Sequence, residues 1–424
     1  MNTRIHAPLR TQYAGSSARH GLRRRQKGAY LVTFALLLLF LLGFMGIALD
    51  FGRLFVVKTE LQTAMDSCAL AAARELNRET DPAGVTDAIS RARSAGIVAG
   101  NQNRANMQSA NWGGLGQITA SDIFFFKADY VTPADSSTAV YAECKHTMSS
   151  IPLWLLQAMG AFNGDTTTWP STGTVGARAV ATRGSAQSTC PIPVALPLAK
   201  FNTLLSGDWV TLLSKTSSGG DFGWANLDGS TSASETKDEM DGTHCGVGIG
   251  NILGTSIGTS GVQATVVEIW NYRFGIYKNG AGPSTNRPDF TGYIYDSTNW
   301  TLGRNAYNGT SGSTPNFIAQ RGSFTRCGTS PANCGMAGGG FQTVATSAEH
   351  KSYGADRRLV LVPVVNTSST VVDFACMLML QPMKIPVGDV QLEYRGKASA
   401  ADSPCTTTGL AGGSSGPLVP VLVR

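Results

Sequence analysis

The stretch that most constrains this chain is Ala29 to Leu49, AYLVTFALLLLFLLGFMGIAL, which carries no charged residue. About 20 consecutive apolar residues span the hydrocarbon core of a bilayer as a helix. Inside lipid every backbone polar group has to be paired within the segment, so a lone span must be helical. Arg23, Arg24, Arg25 and Lys27 stand just before the run and Asp50 just after it. Basic residues stay on the cytoplasmic side of a membrane, so these charges predict residues 1–28 inside and the remaining chain outside. A cleaved signal peptide is the competing reading. Its apolar region usually holds about 7–15 residues and ends in a small-x-small cut site. This run is longer, and Gly46-Ile47-Ala48 with Asp50 close behind is a poor site, so a retained anchor is favoured.

The net charge is +6, but it is unevenly placed. Met1–Gly28 holds Arg4, Arg10, Arg19, Arg23, Arg24, Arg25 and Lys27 and no acid, which leaves the rest of the chain near neutral. Basic residues beside a bilayer suit anionic headgroups, so the basic pI is a property of the tail and does not predict a nucleic-acid partner. Beyond the span the chain is rich in Gly, Ser and Thr, which predicts short strands joined by many turns. All 8 cysteines lie beyond the span, on the side read as oxidising. Disulfides are expected there. Cys327 and Cys334 close a small loop, CGTSPANC, and are the favoured pair; the connectivity of the others stays open.

No proline interrupts residues 50–78, and no glycine follows Gly52 there. Leu54, Leu61, Met65, Cys68, Ala72 and Leu76 recur at helical steps. Lys58, Gln62 and Asp66 share another face at i, i+4 spacing. One helix is therefore expected from about Ala29 to Arg78, roughly 75 Å long at 1.5 Å per residue. Its apolar stripe needs a partner, either its own domain or a neighbouring subunit. Asp81-Pro82 offers a cap and a first-turn proline for a second helix ending near Asn103. Strands are expected at Ile123–Tyr130, Ala139–His146 and Gly176–Arg183, with a short helix at Ile151–Phe162.

A boundary is placed near Ser188. Beyond it CPIPVALPLA reads as extended but not as a central strand, because of its prolines. Asp208–Ser214, Phe222–Leu227, Gly292–Tyr295 and Asn316–Gln320 read as short strands. Val262–Tyr277 fits helix or long strand. Arg358–Val365 and Thr370–Leu380 are the strongest strands, the second buried on both faces. Val387–Arg395 alternates and closes the sheet. The fold class is α+β: a basic tail (1–28), a transmembrane helix (29–49), a helical extension (50–78), a small α+β domain (79–187) and a β-rich external domain (188–424).

The order of features in the first 80 residues resembles the N-terminal segment of the TadE/TadG-like proteins of Flp (Tad) pilus assembly. The pattern is a basic tail, Gly28, the apolar span, Asp50-Phe51-Gly52-Arg53, and then Leu61-Gln62-Thr63-Ala64-Met65-Asp66-Ser67-Cys68-Ala69-Leu70-Ala71. Cys68 departs from it, since a small residue such as Ala is usual there. Pro152-Leu153-Trp154, Ala177-Arg178-Ala179, Cys190-Pro191 and Phe222-Gly223-Trp224 extend the likeness towards TadG more loosely. The resemblance implies a non-enzymatic, single-pass inner-membrane protein of pilus assembly with its bulk in the periplasm and no cofactor. Its partners would be other Tad/Flp components, or itself through the helical extension. The von Willebrand A-like domain of longer TadG proteins is not seen. Prepilin-type processing at Gly28-Ala29 is a further alternative, but Thr33 occupies the position where such pilins carry Glu.

Four other patterns carry less. Gly254-Thr255-Ser256-Ile257-Gly258 matches G-x-S-x-G, with His350 and Asp289 or Asp296 as the remaining triad, but lacks the strand-turn-helix context of a nucleophile elbow. Asp228-Gly229-Ser230-Thr231-Ser232 matches a metal-adhesion pattern without the apolar strand that should precede it. Cys144 and His146 with His244 and Cys245 form a distant zinc-type set. Trp154, Trp209, Trp224, Trp270 and Trp300 make a sugar platform only if they share an exposed face. An anchored or released adhesin using the C-terminal region is the alternative function, and a hydrolase through Ser256 the third.

Overall fold

The computed structural model describes residues 27–80, 87–163, 170–187, 189–212, 223–225, 227, 233–242, 266–336, 339–385, 389–405, 410–413 and 416–423. The chain divides into two compact units, Met1–Phe55 with Ser150–Gly173 and Val56–Ser149 with Thr174–Arg424. Helix α1 is unbroken from Lys27 to Arg74. It stops before Arg78 because Asn77 turns the chain: its side-chain oxygen accepts the Glu79 N–H at 3.2 Å, and Arg78 takes a left-handed φ of 61°. Such side-chain bonds compete with the helical ladder.

In the first unit nearly all α1 side chains from Tyr30 to Leu49 are exposed, with Gly46 buried. This helix is long and apolar enough to cross a membrane. In the second unit α1 buries Val57, Leu61, Ala64, Met65, Cys68, Ala69, Ala72 and Ala73. The expected stripe therefore has its partner within the chain. Part of that partner is α2, Ala88–Gln102, which buries Ala88, Ala92, Gly96 and Gly100. A Cβ on Gly96 would stand 3.3 Å from the Cys68 carbonyl, and one on Gly100 3.3 Å from that of Ala64. Glycine is what lets the two backbones approach this closely. Asp81-Pro82 lies outside the described residues; the cap seen is Asp87, whose carboxylate accepts the Ser90 N–H at 2.7 Å.

A four-stranded sheet follows in the order β1-β2-β3-β12, with β1 Ile123–Phe126, β2 Tyr141–Pro152, β3 Thr172–Ser185 and β12 Leu418–Leu422. Helix α3, Trp154–Asn163, lies between β2 and β3 in sequence. The late segment PLVPVLVR thus supplies the fourth strand, with Leu418 opposite Ser185 and Leu422 opposite Ala181.

A six-stranded sheet runs β5-β11-β10-β9-β4-β6. Here β4 is Val194–Pro197, β5 Trp209–Leu212, β6 Gly223–Trp224, β9 Leu359–Val365, β10 Val371–Met379 and β11 Val390–Lys397. Both faces of β9 and β10 are buried, and the period of two sorts their side chains. Val360, Val362, Val364, Ala375, Met377 and Met379 pack with Val266, Ile269 and Trp270. Leu361, Val365, Phe374 and Cys376 face the other way, with Cys405 and Val419.

Several expectations need correction. The CPIPVALPLA segment supplies an inner strand: β4 pairs in parallel with β9 and antiparallel with β6. Its prolines are tolerated because Pro193 precedes the strand and Pro197 ends it. β11 does not close the sheet, since β5 pairs along its outer side. Val266–Tyr272 is helix and Ile276–Lys278 strand (β7, paired with β8, Phe341–Val344), so both signals in that segment are used in turn. Asn316–Gln320 is not a strand: Asn316 caps a helix over Phe317–Gly322 by accepting the Ala319 N–H. Gly292–Tyr295 is irregular, and its surroundings explain why. The Arg358 guanidinium is buried and donates to the carbonyls of Thr291 (3.2 Å), Tyr293 (2.7 Å) and Met379 (2.9 and 2.6 Å). It lies 4.2 Å from the Phe274 ring centroid and 5.0 Å from that of Phe317. Burial lowers its pKa to about 10, so the charge persists at neutral pH.

Two predictions follow from this core. Arg358→Met should destabilise the chain by about 3 kcal/mol or more, because it strands buried carbonyls; urea unfolding of the detergent-solubilised chain reads this. His350 is the second. Its Nδ1–H donates to the Asp289 carbonyl at 2.7 Å, while Nε2 is buried without a partner among the described residues. The backbones of Gly275 and Gly292 crowd that nitrogen. Burial lowers the His350 pKa from 6.5, and Arg358 adds to this, against the opposing pull of Asp289 and Glu349. The neutral ring is thus favoured in the fold, and the unfolded chain takes up the proton first as pH falls. Stability should drop as pH falls through about 6.5 towards the lowered pKa of the folded state, and His350→Gln should flatten that slope.

Candidate functional site

The residues of the N-terminal motif do their work in two places. In the first unit, Asp50 ends the apolar run and is yet only 4% exposed. Its Oδ2 accepts the backbone N–H groups of Leu155 at 2.9 Å and Leu156 at 2.7 Å. These belong to the first turn of α3, whose amides lack intrahelical partners. A carboxylate at that end is also favoured by the helix dipole. One turn further along α1, Arg53 donates to the Pro152 carbonyl at 3.0 Å and lies 4.5 Å from the Trp154 ring centroid. One turn earlier, a Cβ on Gly46 would stand 3.0 Å from Leu155 Cβ. Gly46, Asp50 and Arg53 therefore form a single face that holds the Pro152-Leu153-Trp154 turn and α3. A Cβ on Gly52 would meet nothing within 4 Å, and nothing in the structure explains that glycine.

In the second unit, the polar face of α1 is bonded to strand β3. Lys58 donates to the Gly176 carbonyl. Gln62 donates to Asp66 at 2.8 Å and to the Arg178 carbonyl at 2.9 Å. Leu61 and Ala69 are fully buried. Cys68 forms a disulfide with Cys144 on β2, which accounts for a cysteine where a small residue is usual. Arg183 closes the end of the helix by donating to the Leu76 carbonyl, and also to that of Ala401, both at 3.0 Å. Glu60 carries no signal in the sequence. Its carboxylate accepts the N–H groups of Met107 (2.9 Å) and Gln108 (3.1 Å), holding a turn in which Asn106, Met107 and Gln108 all have left-handed φ. Three such residues in succession need an external hold of this kind.

Arg23, Arg24 and Arg25 lie outside the described residues, and Lys27 opens α1. Cys327 and Cys334 are joined, as are Cys376 and Cys405. Ser256, the segment 228–232 and His244 with Cys245 lie outside the described residues. His350 meets Asp289 through the backbone carbonyl. The Asp289 carboxylate instead accepts the N–H groups of Thr291, Arg357 and Arg358, so it is a turn-forming group and not an imidazole partner. The disulfide at Cys144 removes that thiol from any zinc set, and no group of three metal-ligating side chains occurs among the described residues. Trp270 and Trp300 are fully buried, while Trp154 is 66% exposed, so the tryptophans do not share a platform.

The arrangement is thus one of docking: a long helix with buried acceptors and small residues placed to hold other backbone against it. Residues 28–75 match a family model described as putative Flp pilus-assembly TadE/G-like. No curated protein and no solved structure matches the chain.

Removing the Asp50 carboxylate tests the first docking point. Asp50→Ala should cost about 1–2 kcal/mol of local stability, the usual worth of a helix cap. Hydrogen exchange at the Leu155 and Leu156 amides should accelerate, and less so in Asp50→Asn, which keeps one acceptor oxygen.

Proposed function

We propose that this protein is a non-enzymatic, membrane-anchored component of Tad/Flp pilus assembly. In this reading residues 29–49 span the bacterial inner membrane once, residues 1–28 face the cytoplasm, and the bulk of the chain is periplasmic. The observation that carries it is the coincidence of the matched segment, 28–75, with helix α1, Lys27–Arg74. The matched segment is a single helix, apolar and exposed over its first part and seated by its polar side chains Asp50, Arg53, Lys58 and Gln62 over the rest. The basic tail supports the orientation. So do the disulfides, which belong to an oxidising compartment. Other Tad/Flp components or a second copy would engage the exposed α1 side chains Phe51 and Phe55, one turn apart on the helix. The buried tryptophans speak against an aromatic adhesin surface. Nothing in this reading calls for nucleic acid or a cofactor.

Deletion of the gene in its bacterial host is the direct test. Surface pili should be lost with pilin levels unchanged, and the full chain should restore them. Normal piliation after deletion would overturn the reading. Intact mass of the membrane-extracted protein should retain residues 1–28. A chain starting at Ala29 would instead mark a processed, fibre-entering subunit, and one starting after Ala48 a released binding protein.

A further inference from the structure

Helix α3 has an unusual composition for a helix with an exposed face. Its sequence, WLLQAMGAFN, contains no charged residue. A helix facing water ordinarily sets charged or strongly polar residues on its outer face. Here Trp154 is 66% exposed and Leu155 40% exposed, while Leu153 and Leu156 are buried. The start of α3 therefore turns apolar surface outward.

Its location on α1 identifies what that surface meets. The Asp50 carboxylate binds the Leu155 and Leu156 amides, and Gly46 lies directly beneath Leu155. Gly46 belongs to the apolar run itself, whose side chains around it, Phe44, Met45 and Leu49, are 58–59% exposed. At 1.5 Å per residue, Gly46 lies roughly one turn inside the run from Asp50. The first turn of α3 is thus level with the last turn of the apolar run, and its exposed Trp154 and Leu155 continue the same apolar surface. Trp154 beside the Arg53 guanidinium is the pairing of residues that favours the headgroup level of a bilayer. The bonds from α3 amides also give Asp50 internal partners at a depth where water is scarce.

We propose that α3 is a second membrane contact: an interfacial helix whose Trp154–Leu155 face is immersed in phospholipid at the outer boundary of the span. This rests on the reading of residues 29–49 as a span. Asp50 and Arg53, the charged residues that end the span, are on this view the clamp that sets the depth of α3.

The test uses the full chain reconstituted in phosphatidylethanolamine/phosphatidylglycerol vesicles containing a brominated phosphatidylcholine. Wild type is compared with Trp154→Phe, which keeps an aromatic ring beneath Arg53; matching protease-fragment patterns establish that both chains are folded alike. The difference between their emissions isolates Trp154 from the other tryptophans. That difference should be blue-shifted, mostly lost to the bromines, and shielded from acrylamide. A difference signal quenched by acrylamide and untouched by bromine puts Trp154 in water and overturns the proposal. Shielding from both quenchers means that protein covers this face, a second copy or a pilus component, and equally overturns it. Alkaline carbonate washing of the same vesicles reads the anchor separately: release of the chain signals failure of the span, retention isolates the result at α3.

Discussion

A single helix, α1, has to satisfy different surroundings along its length, and the rest of the structure follows from how it does so. Its backbone is paired internally throughout, which is the condition for crossing lipid alone. What changes along it is the side chain. Up to Leu49 the helix carries large apolar residues that remain exposed. From Val57 the buried positions turn small, with Ala64, Ala69, Ala72 and Ala73 among them. Small residues let neighbouring backbone come close, and the second unit uses this twice, through the glycines of α2 and through the Cys68–Cys144 disulfide to β2.

The charged groups that this chain buries are held mostly by backbone dipoles. Asp50 is met by two amides at the start of α3. Arg358 is met by three carbonyls. Glu393, fully buried, accepts the N–H groups of Ala306 and Tyr307 and the Trp209 indole N–H, with Arg395 at 3.0 Å; burial still raises its pKa. An unpaired buried charge costs several kcal/mol. Backbone groups answer that cost without a second charge, and each such bond also fixes the path of an irregular segment. This is how a Gly-rich chain with long loops acquires a defined core.

The legible parts were those written in local periodicity. The apolar run, the helical stripe from Leu61 to Leu76 and the continuous apolar runs of β9 and β10 are properties of neighbours in the sequence. So is the N-terminal motif, whose positions Asp50, Arg53 and Gln62 all make specific contacts. The misreadings share a cause. Asn316–Gln320 is expected as a strand, whereas Asn316 is a helix cap. Gly292–Tyr295 has the residues of a strand, but the Tyr293 carbonyl is taken up by a guanidinium 65 residues further on and that of Ile294 by the Asn299 amide. The CPIPVALPLA segment enters the sheet because its prolines fall at the strand ends, a register that only pairing with β9 reveals.

The sequence by itself determined that residues 29–49 are apolar enough to cross a membrane as a helix and that the same helix runs on past them with an apolar stripe. Both follow from the spacing of apolar residues, and helix formation is a local matter of one backbone. It also determined the strong central strands. Only the tertiary structure decided what the motif residues do. Asp50 finds its amides 105 and 106 residues away, and Cys68 finds Cys144 across 76. Such pairings depend on which surfaces the whole fold brings together, and no periodicity within either partner encodes them.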